Sequence, residues 1–252
     1  MFAGICCGLV LAFDSALLYL YLAKPDTLPA PDLVAASPLI QPSSAPSAAS
    51  APPSAPTSTP PSSRVIVAES WVQAISARTN IPPRALTAYA NAQLATNAAR
   101  PGCHMSWTLL AGIGLVESRH GSAGGATLQA DGVTGPPILG PALDGSRGTV
   151  AIPATAEGLR LDGDPNWDHA IGPMQFIPST WSRWGLSADG GIPNPNDIDD
   201  AALTAAAYLC ASGGDIATAA GWQAAISAYN APAGYAVQVT DQANAYAQQS
   251  LS

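Results

Sequence analysis

The 252-residue chain contains only three glutamates, Glu69, Glu117 and Glu157. Glu117 stands out. It closes the run SWTLLAGIGLVES, whose other members are apolar or small. Leu110, Ile113 and Glu117 are three and four residues apart, so on a helix they share one face, and that face is the one a core would bury. Burial penalises the charged form of a carboxylate and raises its pKa. The negative end of the helix dipole pushes in the same direction. A carboxylic acid kept protonated in an apolar cleft can deliver a proton to a glycosidic oxygen. The competing reading of this helix alone is a solvated C-terminal glutamate, or one paired with Arg119.

Two further segments bear on chemistry. In GPMQFIPSTW, residues 172–181, one amide, Gln175, sits in an apolar run. A buried amide needs a partner, and a sugar hydroxyl or acetamido group would serve. The alternative is a plain helix start capped by Ser179. In AISAYNAPAGY, residues 225–235, one helix ends at Asn230 and another begins after Pro232. Tyr229, Asn230 and Tyr235 would line that junction, with aromatic faces and an amide suited to sugar rings. They read equally as a helix cap and two core tyrosines.

Taken in order, ES at a helix end, GPMQFxPxT and AYN resemble the lytic transglycosylases, lysozyme-like enzymes that cut murein. The MltB-like branch, in its actinobacterial form, is the nearer likeness. It rests on GLVESRHG, GPALDG, RLDGDPNWDHAIGPMQFIPSTW, DDAALTAAAYLCASGGD and GWQAAISAYNAP, and spans roughly residues 80 to 250. The resemblance implies a mainly α, lysozyme-like transglycosylase domain with long irregular loops. It also implies peptidoglycan as substrate and no cofactor. Glu117 would be the catalytic acid, with Ser118, Gln175, Tyr229, Asn230 and Tyr235 binding substrate.

Most glycosidases use two carboxylates, whereas these motifs supply one. In the family the same glutamate acts as acid and then as base, and the product ends in 1,6-anhydro-MurNAc. Asp131, Asp144, Asp162, Asp164 and Asp168 keep a hydrolytic muramidase on the same fold in play. A non-catalytic peptidoglycan-binding protein is the third reading. Asp162, Asp164, Asn166 and Asp168 alternate like the start of an EF-hand. Trp167 and Pro173, however, stand where that loop needs its Gly and its bidentate Glu, so a hydrogen-bonded turn is expected. The stretch LSADGGIPNPND has too few carboxylates for calcium, and no metal site is expected. With no CxxC or HExxH, His104, His120 and His169 read as loop and cap residues.

These residues need helices to position them. Apolar spacing predicts a helix over 65–77. Asn80-Ile81-Pro82-Pro83 is a start signal for a second, running to about Ala99. Ser106 should cap the helix that ends near His120-Gly121. Residues 121–172, rich in Gly, Pro and Asp, should form a long irregular excursion with room for a small hairpin. Further helices are expected just after Ser179 and over 197–211, 216–229 and 234–249. Together they give one helical domain over residues 64–252.

Residues 1–23 are apolar and long enough to span a bilayer. Asp14 interrupts them, at roughly 2.5–3.5 kcal/mol, and no basic region precedes them. An uncleaved membrane anchor is expected ahead of a cleaved signal. Residues 24–63 are a low-complexity Pro/Ala/Ser linker, too poor in apolar surface to fold, with a polyproline reach on the order of 100 Å. The expected location is the cell envelope, outside the membrane, with release if the segment is cleaved. Net charge is −8 with nine basic residues, which excludes a nucleic-acid partner. A monomer is expected. Cys6 and Cys7 lie in the apolar segment. In an exported domain Cys103 and Cys210 would form a disulfide; two buried thiols are the alternative.

Overall fold

The computed structural model describes residues 66–146 and 149–252. The expected anchor, 1–23, and linker, 24–63, lie outside the described residues. Among the described residues no helix is long and apolar enough to cross a membrane.

The described chain is mainly helical. Its helices are α1 (Glu69–Thr79), α2 (Pro83–Ala99), α3 (Trp107–Ser118), α4 (Ala156–Leu161), α5 (Pro178–Trp184), α6 (Ile198–Gly213), α7 (Ala219–Tyr229) and α8 (Ala233–Leu251). The strands are β1 (Thr127–Leu128), β2 (Thr134–Gly135), β3 (Leu139–Ala142) and β4 (His169–Ile171). They form two antiparallel pairs, β1–β2 and β3–β4.

Local chemistry sets most boundaries. Ser106 accepts from Thr108 N at the start of α3. Asp197 accepts from Asp199 N at the start of α6, and Thr218 from Gly221 N at the start of α7. Each cap satisfies a backbone donor the helix leaves unpaired. Pro83 fits the first turn of α2 because its missing N–H would be unpaired there in any case.

Three expectations need correcting. The first helix begins at Glu69, not Val65, because Val67 N donates to the Asn91 side chain at 2.8 Å and holds extended chain there. Ser179 does not cap α5. Pro178 already occupies its first turn, and the N-cap is Ile177, without a side-chain bond. The excursion is less irregular than expected: it holds α4, capped by Thr155 onto Gly158 N, besides the paired strands.

The core is built around α3. Leu109, Leu110, Ala111 and Ile113 are fully buried, as is Trp107. A helix apolar on every side belongs at the centre of a domain. Each such Leu or Ile contributes roughly 1.5–3 kcal/mol by its burial. The most extensive packing is of α3 on α8, α2 on α6 and α6 on α7. Gly112 permits the first of these: a Cβ there would stand 2.9 Å from Val239 O on α8. Cys103 and Cys210 form a disulfide with Cα atoms 5.5 Å apart. It ties the approach to α3 to α6, and the main chain joins in through Ile216 N to Cys103 O at 2.9 Å.

Candidate active site

Glu117 occupies the last turn of α3, on the helix that the core surrounds. Its side chain is partly buried. Tyr235, two residues into the start of α8 after Ala233, donates its hydroxyl to Glu117 Oε1 at 2.7 Å. Burial raises the Glu117 pKa from the ordinary carboxylate range to about 7, and the Tyr235 bond partly offsets that rise. Among the described residues no other carboxylate adds to the shift. The Tyr235 phenol is pushed well up by its own burial and by the Glu117 charge, so it stays a donor. Arg119 is exposed in left-handed backbone beyond the helix end, and no ion pair joins it to Glu117 among the described residues.

The segment 171–176 closes on itself. Ile171 N donates to Phe176 O at 2.9 Å and Phe176 N to Ile171 O at 3.0 Å. Gln175 sits at its tip with φ +50°, a conformation uncommon outside Gly. Its Nε2 donates to Gly172 O at 2.9 Å. The segment is held from both sides. Ser118 Oγ donates to Pro173 O at 2.6 Å, and Tyr229 donates its hydroxyl to Met174 O at 2.8 Å. The structure therefore brings Glu117, Ser118, Gln175, Tyr229 and Tyr235 into one hydrogen-bonded neighbourhood.

Ser118 is 1% exposed, and its hydroxyl also accepts from Gly121 N at 2.8 Å. Its hydroxyl is thus bonded to main chain on both sides. Asn230 ends α7 with an exposed side chain, free to meet a ligand.

A cleft of about 210 Å³ opens beside Tyr229, lined also by Gln175, Phe176, Ile177, Thr180, Tyr208 and Ala228. Three aromatic rings line it, with the Phe176 and Tyr208 ring centroids 5.8 and 6.1 Å from that of Tyr229. Glu117 is not in its wall. The link is Tyr229, whose phenol is pushed up first by burial and then by the Glu117 charge. Sequence reasoning missed Thr180 and Tyr208. Tyr208 carried a signal, as the only aromatic in the Ala-rich stretch 199–213.

The five aspartates Asp131, Asp144, Asp162, Asp164 and Asp168 each accept from a backbone N–H. Asp131 accepts from Val133 N, Asp144 from Ser146 N, and Asp162 from Asp164 N and His169 N. Asp164 accepts from Asn166 N and pairs with His169 at 3.1 Å. Asp168, wholly buried, is held by Thr155 N and Oγ1. The 162–168 alternation is thus a hydrogen-bonded turn, as expected. In the 186–197 stretch the loop N–H groups of Ala188 and Asn194 bond Asp200 at 2.6 and 2.9 Å. No cluster of three metal-ligating side chains occurs among the described residues.

The histidines divide. His104 is exposed and pairs with Asp215 at 2.8 Å, and His169 bonds Gly140 O. His120 needs correcting: its main chain does cap α3, donating to Gly114 O, but its side chain is 4% exposed in the core. The helix-end backbone turns it inward, which spacing could not show. Compared with known proteins, the chain matches no family model, no curated protein and no solved structure.

Proposed function

We propose that this chain is a peptidoglycan lytic transglycosylase with Glu117 as its acid and base. The observation that carries the reading is Glu117 itself. It is a partly buried carboxyl with a pKa of about 7, hydrogen-bonded by Tyr235, and its charge acts on Tyr229, which lines the aromatic cleft. A group poised near neutrality can give a proton and take one back.

In this reading Glu117 protonates the oxygen linking MurNAc to GlcNAc, and that bond breaks. The MurNAc 2-acetamido group stabilises C1. The Glu117 carboxylate then takes the proton of the C6 hydroxyl, whose oxygen bonds to C1. The proton count balances, no water is consumed, and a 1,6-anhydro-MurNAc end results. A muramidase would need an activator for water, and Asp131, Asp144, Asp162, Asp164 and Asp168 each accept from a backbone N–H. A pure binding protein has no use for an acid with a raised pKa. The domain would act as a monomer in the cell envelope, tethered through residues 1–23 across the linker.

Incubation with purified sacculi tests the reading. Soluble muropeptides should be released. Sacculi left intact, by protein whose circular dichroism shows it folded, would overturn it.

A further inference from the structure

The core holds a second polar assembly that the proposed chemistry leaves unused. His120 lies just beyond Glu117, where Arg119 and His120 both adopt left-handed backbone. Its Nδ1 is 3.1 Å from the Tyr89 hydroxyl on α2, and its Nε2 is 2.9 Å from the Tyr246 hydroxyl on α8. Tyr89 is fully buried and Tyr246 is 4% exposed. Three polar groups in an apolar core thus satisfy one another. A neutral imidazole donates from one nitrogen and accepts at the other, and each hydroxyl can take either part. Burial pulls the imidazole pKa down to about 4, and pushes the Tyr246 phenol up to about 12 and the Tyr89 phenol higher. All three therefore stay neutral near pH 7. Facing the imidazole are Tyr89 from α2 and Tyr246 from α8, and Gln242 bonds Tyr246.

The main chain is shaped to admit this assembly. A Cβ on Gly114 would stand 2.0 Å from the Tyr89 hydroxyl oxygen. Any side chain at Gly114 would displace Tyr89 from His120. Tyr246 shares its helix with Tyr235, eleven residues earlier, close to three whole turns and hence on the same face. So α8 is bonded to the end of α3 at two points: Tyr235 on Glu117, and Tyr246 on His120.

We infer that His120 is a positioning residue for Glu117: bridging Tyr89 and Tyr246, it fixes α8 against the end of α3 and so holds the Tyr235 hydroxyl on the Glu117 carboxyl. The kinetic part of this inference rests on the proposed transglycosylase chemistry. The positioning itself does not.

The test uses the full chain in detergent micelles, labelled with ¹³C at the glutamate side-chain carboxyls. Three glutamates give three resonances, and Glu117→Gln assigns one. Titrations compare the wild type with His120→Gln, Tyr246→Phe, Tyr235→Phe and the Tyr246→Phe/Tyr235→Phe pair. Because the Tyr235 bond lowers the Glu117 pKa, Tyr246→Phe should raise the Glu117 midpoint. It should also lower kcat on sacculi about tenfold with KM nearly unchanged, as slight misplacement of a catalytic group does. Added to Tyr235→Phe, it should move neither quantity further. If His120→Gln does not fold, Tyr246→Phe, which loses one oxygen, decides. A folded Tyr246→Phe with an unmoved Glu117 midpoint, or additive effects in the pair, would overturn the inference. Should sacculi never be cut, the proposed activity falls, and the titration still decides the role of His120.

Discussion

The Tyr235 hydroxyl and Glu117 Oε1 stand 2.7 Å apart, joining the start of the last helix to the end of the central one. The bond favours the ionised carboxyl while burial favours the neutral one, and burial prevails. Removing the hydroxyl with Tyr235→Phe should therefore raise the Glu117 pKa above about 7. Proton donation needs the protonated acid, so the alkaline limb of kcat against pH should move to higher pH. Rates across pH 5–9 check this. A limb that stays put or moves down would mean the bond does not tune Glu117.

Glu117→Gln should lose essentially all cutting and keep its fold. The amide still accepts from Tyr235 but cannot deliver a proton. Residual activity above a few per cent would remove Glu117 from the role of acid.

The same substitution should stabilise the protein at alkaline pH. The folded-state pKa of Glu117 lies above its unfolded value, so the folded state binds the proton more tightly. Stability is then lost as pH rises from about 4.5 to about 7. A shift of that size corresponds to up to about 3 kcal/mol. Thermal melts should show Glu117→Gln ahead of the wild type at pH 8, with the gap closing at pH 4.

Not all of this was legible in the sequence. The helix carrying Glu117 announced itself through an unbroken apolar run and a serine cap, and its end fell where expected. The approach of Tyr235 to Glu117 did not, because 118 residues of chain separate them. The motif order implied only a shared cleft. His120 read as a loop residue because left-handed backbone, not periodicity, aims its ring inward. The short helix Ala156–Leu161 was hidden by Gly158, which tucks against Asp168 where a Cβ would stand 1.9 Å from a carboxylate oxygen. Pro178 displaced Ser179 as the start of its helix, since proline fills the first turn without needing a hydroxyl cap.

The Cys103–Cys210 bridge closes a long loop between the approach to α3 and α6. Replacing both cysteines with serine should lower stability by roughly 2–4 kcal/mol. Urea unfolding of the oxidised wild type and the double variant measures it. Equal midpoints would show that the bridge does not stabilise the fold.

In the proposed reaction a single carboxyl closes the substrate on itself rather than activating water. Intramolecular attack by the C6 hydroxyl has a large effective molarity over water. Inverting hydrolysis would need a second carboxylate roughly 6.5–9.5 Å from the first, and the motifs that carry Glu117, Gln175, Tyr229 and Asn230 supply no other. Mass spectrometry of the fragments released from purified sacculi is the direct measurement. The expected MurNAc ends are lighter by one water than the hydrolysed product and resist borohydride reduction. Reducible ends alone would rule out ring closure and point to a muramidase.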